Sequence, residues 1–541
     1  MCLLSPSSPA RRPGSSAGWR RHGSASKPAH RAADTGAWPG WLWPSGRRRS
    51  QGLWPARLDA EVFSVFERVL LIAPPSSSYL GAARPPTGLG YIAQALQEAG
   101  IEYAVADLRT GGRLRTLWGT IAAFRPQLIG LSLVSFEYLR SYELIRRIKE
   151  VAPKASIVVG GPHVSVLREA VLEACQAIDF GIIHEGERAI VELCRGERPL
   201  EAMPGLLFRR GGQVLAGPAP APRMDLDAIP FPRYERFDLK RYAPEILLVT
   251  SRGCPYRCIF CPNSLTAKQF RARSAAHVAD EIEYWYDRGI RQFSVDDDNF
   301  TLDKQRVYDI CDEIERRRLQ GLFIRCANGI RADRVDRDLL ARMQAVGFKE
   351  VAFGADGGND HVLRDIVHKG ETIADIHRAL QDACDLGLKV KLFIIVGHPG
   401  ETMRDVEDSL ALAQRYPVVW LHLNNPIPYP GTELYEWVRA HNAFVIPPEV
   451  YLNNVTEVDD TPVFETPELP WAVRKEILVR SRHIERQVKR RAVERMFHNL
   501  PVVREAAGWL FASRLGQKLF FQNVPARVVI DRIWYRKMVR G

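Results

Sequence analysis

The chain has 541 residues, 46% hydrophobic and 26% charged, with a formal net charge of +12. That length is more than one hydrophobic core organises, so two or three domains are expected. The composition is that of an ordinary globular protein, and no run of 18 apolar residues occurs, which argues against a membrane-spanning helix. The basic excess concentrates in the first 57 residues and after about residue 474, outside the parts that read as packed domains. Charge alone does not choose among nucleic acid, an anionic membrane and an acidic substrate, and no nucleic-acid-binding module is recognised.

Residues 1–60 are rich in Arg, Ser, Pro, Gly and Trp and carry no apolar pattern, so they read as a disordered basic segment or an over-extended start of translation. From Arg68 the texture changes. RVLLIAPP (68–75) reads as a buried strand and TGLGYIAQALQEAG (87–100) as an amphipathic helix ended by Gly100. YAVADL (103–108), LIGLSLVS (128–135), SIVVGG (156–161) and AIDFGIIHEGE (177–187) continue the strands, with helices expected near 115–124, 138–150 and 165–175. Apolar strands alternating with helices predict a doubly wound parallel α/β sheet over 61–205, whose ligands bind beyond the carboxyl ends of the strands. The loops after Ala73, Ser132 and Val159 are the places indicated.

Residues 206–240 contain PAPAPR (218–223) and IPFPRYERF (229–237), which suggest an extended Pro-rich linker laid over the surface. A second series over 241–440 has strands expected at 246–250, 292–296, 323–327, 350–354, 389–396 and 418–423. Six βα units predict a partial barrel rather than the closed eight-stranded form. From 474 to 541 there are 17 Lys plus Arg against five Asp plus Glu, so 441–541 reads as a basic helical extension.

Of nine cysteines, six are scattered and three stand together in TSRGCPYRCIFCPNS (250–264), directly after a strand. A structural zinc site wants four protein ligands, and no second CxxC or HxxxH occurs. A disulfide would leave one thiol over. Three thiolates can instead hold an iron–sulfur cluster with one iron open to a small molecule. A reducing, cytoplasmic compartment suits such a set.

Cys254, Cys258 and Cys261, in Cx3Cx2C spacing with Phe260 before the third, resemble the motif of the radical S-adenosylmethionine (SAM) superfamily. The resemblance implies a [4Fe–4S] cluster whose open iron chelates SAM, reductive cleavage to a 5′-deoxyadenosyl radical, and an electron donor such as flavodoxin or ferredoxin. It further implies that Asp296 and Asp297 of QFSVDDDNFT meet the SAM amino group, and that Arg331 stands near the cofactor. Asp356 of FGADGG replaces a usual Glu, and Gly397, Pro399 and Gly400 of VGHPGET form the loop that meets adenine. His398 and Tyr429 are polar candidates beside this site.

The preceding α/β domain, with GGPHVS (160–165) and HEGERAIVEL (184–193), is similar to that of the cobalamin-dependent subfamily, with Gly160 and Gly161 beside the cofactor. No DxHxxG histidine follows the first strand, where APPSSSYLG stands. The resemblance implies a cobalamin-dependent methyltransferase acting on an unactivated carbon through methylcobalamin. A cyclase or rearrangement enzyme with the same cofactors, and a cobalamin- or cluster-based sensor, are the alternatives. The basic tail, with Trp509, Phe511, Phe520, Phe521 and Trp534, suggests peripheral contact with the inner membrane face and a lipid, isoprenoid or tetrapyrrole substrate. The catalytic residues carry no motif of their own.

Overall fold

The computed structural model describes residues 65–75, 84–110, 114–220, 224–266, 268–454 and 461–496. The expected basic N-terminal segment, Cys2 and the aromatic residues of the tail lie outside the described residues.

The front sheet has seven strands, β1 (Arg68–Ala73), β2 (Glu102–Asp107), β3 (Leu128–Ser132), β4 (Ser156–Gly160), β5 (Phe180–Ile182), β6 (Leu206–Arg210) and β7 (Gln213–Ala216), in the order β2-β1-β3-β4-β5-β6-β7. The first five pair in parallel, as the alternation with helices predicts. Strands β6 and β7 are antiparallel additions. They correct the expected boundary, because 206–216 belongs to the sheet and not to a linker. Gly211 and Gly212, at φ 55° and 81°, supply the positive φ values that a two-residue hairpin turn needs. The segment that follows is not a surface strap either. Tyr234, Phe237 and Tyr242 are buried in the core that continues from the front domain into the barrel. The aromatics between its prolines drive this burial, as their apolar area gains more from packing than the prolines do from solvent.

The second sheet comprises β8 (Glu245–Leu248), β11 (Gln292–Val295), β12 (Phe323–Ile330), β13 (Phe348–Gly354), β14 (Lys389–Ile395) and β15 (Trp420–Asn424), all parallel and in sequential order. This is the open six-stranded partial barrel. On one face Ile246, Leu248, Phe293, Val295, Ile324, Val351 and Leu392 pack on the helices. The other face carries ion pairs, Arg325 to Glu245 at 2.8 Å and Lys391 to Glu350 at 2.6 Å. A small antiparallel pairing of β9 (Ser251–Arg252) with β10 (Arg271–Ala272) closes the base of the cysteine loop.

The helix Trp471–Met496 covers the free edge of β15. Leu423 N–H donates to Glu485 at 2.8 Å, and Arg482 donates to Leu423 O at 3.2 Å, so one helix answers both edge groups. Ile477, Ile484 and Val488 are buried there, so the apolar face of this part of the basic extension is used inside the fold. Among the described residues no helix is long and apolar enough to cross a membrane.

Candidate functional site

The three cysteines lie in the irregular stretch between β9 and the short helix Asn263–Thr266, and none of the three is in a disulfide. The acidic run after β11 organises this stretch. Asp297 is buried and accepts from Thr250 N–H at 2.6 Å, Thr250 Oγ1 at 2.5 Å and Ser251 Oγ at 2.6 Å. Arg306 stands 3.6 Å from it and also donates to Thr250 Oγ1 at 2.6 Å. Asp298 accepts from Gly253 N–H at 2.9 Å and Asn263 Nδ2 at 2.6 Å, spanning the loop that holds the cysteines. Asn299 Nδ2 lies 3.9 Å from Cys254 Sγ, a donor to sulfur. Asp297 is therefore committed to the strand leading into the loop, against the expectation that it meets SAM. Asp296 differs: its carboxylate has no hydrogen-bond partner among the described residues, and burial pushes it up to about 6. It stays a candidate for a ligand amine.

The opposite side of the loop is held by cations. Arg331 stacks on Tyr256 at 3.5 Å, pairs with Asp333 at 2.9 Å and Glu371 at 3.3 Å, and donates to Lys369 O at 2.9 Å. Lys369 pairs with Asp356 at 2.7 Å, so Asp356 is engaged by the chain itself, with its own backbone at φ 58°. Burial pushes the Cys258 thiol up to about 12, and Lys369 opposes that shift. The donor set suits an iron–sulfur cluster: three cysteine thiols on one loop, a sulfur-directed amide and two buried cations beside an anionic centre. Among the described residues no three His, Cys, Asp or Glu side chains are already drawn together as a metal nest. The thiols share a loop, and iron would gather them.

Phe260 packs against His398 at 5.6 Å between ring centres. Gly397 and Gly400 have φ of 97° and 89°, which the turn after β14 requires. Gly397 N–H donates to Glu401 at 2.6 Å. His398 and Glu401 are fully buried; burial holds the imidazole down at about 3 and pushes the carboxyl up to about 8. Tyr429 makes an edge-on contact with Phe136 of the front domain at 5.4 Å, the packed role of an aromatic.

At the carboxyl ends of the front strands, Gly161 is required by the backbone. Its φ is 99°, and a Cβ there would stand 2.7 Å from Leu133 O. Gly160 has no such demand, its nearest contact being Ile182 O at 3.7 Å. Val134, 37% exposed at the same edge, leaves apolar surface open to a large flat ring. His163 is no free ligand, since it is buried between Tyr142 OH at 2.9 Å and Ser135 Oγ at 3.2 Å. The edge thus suits cobalamin held by shape rather than by that histidine.

Sequence reasoning missed what joins the two domains. Arg252, two residues before Cys254, pairs with Glu187 at 2.7 Å and Glu185 at 3.4 Å, and Arg271 pairs with Glu185 too. The HEGE acids of the front domain thus grip both strands at the base of the cysteine loop. Opposite charge in two separate loops was the available signal.

The Radical SAM superfamily model matches residues 248–413, and the B12 binding domain model matches residues 80–194. An uncharacterized methyltransferase, PH0819, of Pyrococcus horikoshii is 29% identical over 388 residues, 69% of this chain and 84% of that protein. The anaerobic magnesium-protoporphyrin IX monomethyl ester cyclase of Cereibacter sphaeroides is 25% identical, over 66% of this chain and 60% of its own length. The structure of the cobalamin-dependent S-adenosylmethionine radical enzyme OxsB, with aqua-cobalamin and S-adenosylmethionine bound, superposes with a TM-score of 0.63 at 15% identity. It covers 88% of this chain and 76% of that one, a likeness of fold.

Proposed function

We propose that this chain, a radical SAM protein with a B12-binding domain in front, is a cobalamin-dependent methyltransferase acting on an unactivated carbon of a small molecule. The grip of the B12-type domain on the strands that carry the cysteine loop is the observation that supports it most. Arg252 and Arg271, held by Glu185 and Glu187, tie the two cofactor-bearing edges together at the place where a methyl group and a substrate radical must meet. When bound, the cluster with SAM supplies hydrogen-atom removal from the substrate, and cobalamin supplies the methyl group.

Cys254, Cys258 and Cys261 would hold the cluster, and Phe260, Arg331, Gly397, Pro399 and Gly400 would surround SAM. Asp296, unpartnered among the described residues, would meet the SAM amino group. Asp297, Asp298 and Arg306 keep the loop in register. Gly160 and Val134 would lie against cobalamin. Flavodoxin or ferredoxin is the proposed electron donor, and contact with an anionic membrane is proposed only through the tail after residue 496.

The test is anaerobic turnover with methyl-labelled SAM after reconstitution with iron, sulfide and cobalamin. The expected result is label in the product, with one 5′-deoxyadenosine and one S-adenosylhomocysteine formed per methyl transferred. An unlabelled, mass-neutral or oxidised product would instead assign the cyclase-type reaction, for which the Cereibacter sphaeroides relative is the supporting likeness.

A further inference from the structure

Arg474 lies in the first turn of the helix Trp471–Met496, beyond the residues that either family model matches. It is 3% exposed, and none of Nε, Nη1 and Nη2 has a hydrogen-bond partner among the described residues. The guanidinium lies over Phe464 at 4.1 Å. It also faces the turn after β14, where a Cβ on Gly397 would stand 3.0 Å from Nη2. Two side chains of that turn share its condition. Both ring nitrogens of His398 are buried without a hydrogen-bond partner, and so is Glu401 Oε1.

A buried guanidinium whose N–H groups find no acceptor is costly even with Glu401 and Glu465 acting on it through charge, and the chain keeps one where a ligand accepts from it. Glu401 does not answer it: Oε2 is taken by Gly397 N–H, and no ion pair joins the two residues. A water brings no charge to a buried guanidinium, whereas a planar fork beside an imidazole and a helix N-terminus matches a carboxylate or phosphate in both charge and geometry. Position favours the substrate as the source of that anion. Arg474 comes from the extension outside the shared domains, while His398 packs at a tilt against Phe260, one residue from Cys261.

Resting on the methyltransferase reading, we propose that Arg474 and His398 bind an anionic group of the substrate, a carboxylate or a phosphate, beside the cysteine loop. The extension then has two tasks: its middle seals the barrel edge at Leu423, and its first turn selects an acidic substrate.

The test uses the full chain, anaerobically reconstituted, and isothermal titration with sodium acetate or inorganic phosphate at constant ionic strength. The wild-type protein is expected to bind one of them saturably. Affinity should fall at least tenfold in Arg474→Met, fall less in Arg474→Lys, and hold in Arg480→Met, which removes an exposed arginine of the same helix that pairs with Glu407. Preference for acetate assigns a carboxylate substrate and preference for phosphate a phosphorylated one, provided the anion still binds with SAM saturating; acetate binding abolished by SAM would assign the carboxylate to SAM and overturn the proposal. Equal affinity in Arg474→Met, or no binding of either anion by the wild type, overturns the proposal and leaves water as the partner. If Arg474→Met loses its far-UV dichroism, Arg474→Lys and His398→Gln decide by the same measure. Binding is read without turnover, so its failure leaves the methyl-transfer reading standing, and an unlabelled product leaves the binding result standing.

Discussion

Two neighbouring regions, the cysteine loop and the turn after β14, are built on opposite principles. In the cysteine loop, Asp297, Asp298, Arg331 and Arg252 each find partners within the chain. In the turn after β14, His398 and Glu401, with Arg474 facing them from the helix Trp471–Met496, are buried with polar atoms unanswered among the described residues. The first arrangement holds the cysteine segment still through the chain's own contacts. The second stores polar groups for a ligand, at a cost in stability.

Removing any one of Cys254, Cys258 and Cys261 as Ala should have the largest effect on the first loop, abolishing iron retention after desalting, read by iron content and visible absorption. Asp297→Ala should come next. It leaves Arg306 buried without its charge partner and three donors without an acceptor, a loss of about 3–5 kcal/mol, read by urea denaturation. A loss under about 1 kcal/mol would show that the acid run is ordinary surface.

The second loop is broken by pH. Burial raises the Glu401 carboxyl from 4.5 to about 8, so the folded state prefers its protonated form. Its contribution is therefore complete below pH about 4.5 and is lost as pH rises through about 8. Glu401→Gln should flatten the fall in denaturation midpoint across that window and be the more stable protein at its alkaline end. A variant that tracks the wild type would place the acid in solvent.

Smaller effects separate the front glycines and the domain contact. Gly161→Ala should cost about 1–3 kcal/mol, given its positive φ and the approach to Leu133 O. Arg252→Met, which unpairs Glu187 and leaves Glu185 to Arg271 alone, should cost about 1 kcal/mol and loosen the domains, read as faster proteolysis of the 217–244 segment. Gly160→Ala should stay within about 0.5 kcal/mol while weakening cobalamin retention, measured by absorbance after gel filtration.

The six barrel strands and five parallel front strands were legible because each is a short apolar run followed by a helical pattern. The hairpin 206–216 was not, although LLFRRGGQVLA carries the paired glycines of a tight turn, because the prolines after it dominated the segment's texture. The cysteines announced themselves by spacing. The roles of Asp297 and Asp298 did not, since their partners Thr250 and Gly253 lie more than forty residues away in the chain. Asp356 resembled a cofactor contact, and its partner Lys369 lies in another loop. Arg474 was hidden by its neighbours: in a strongly basic segment one more arginine reads as solvated charge, and only packing against Gly397 and Phe464 sets it apart.

The central claim is most directly tested by anaerobic reconstitution of the full chain, followed by reduction in the presence of SAM with 5′-deoxyadenosine as the readout. The account predicts one four-iron cluster per chain and formation of 5′-deoxyadenosine, both lost in Cys258→Ala. Iron bound equally well by that variant, or a complete cluster that leaves SAM uncleaved, would contradict it.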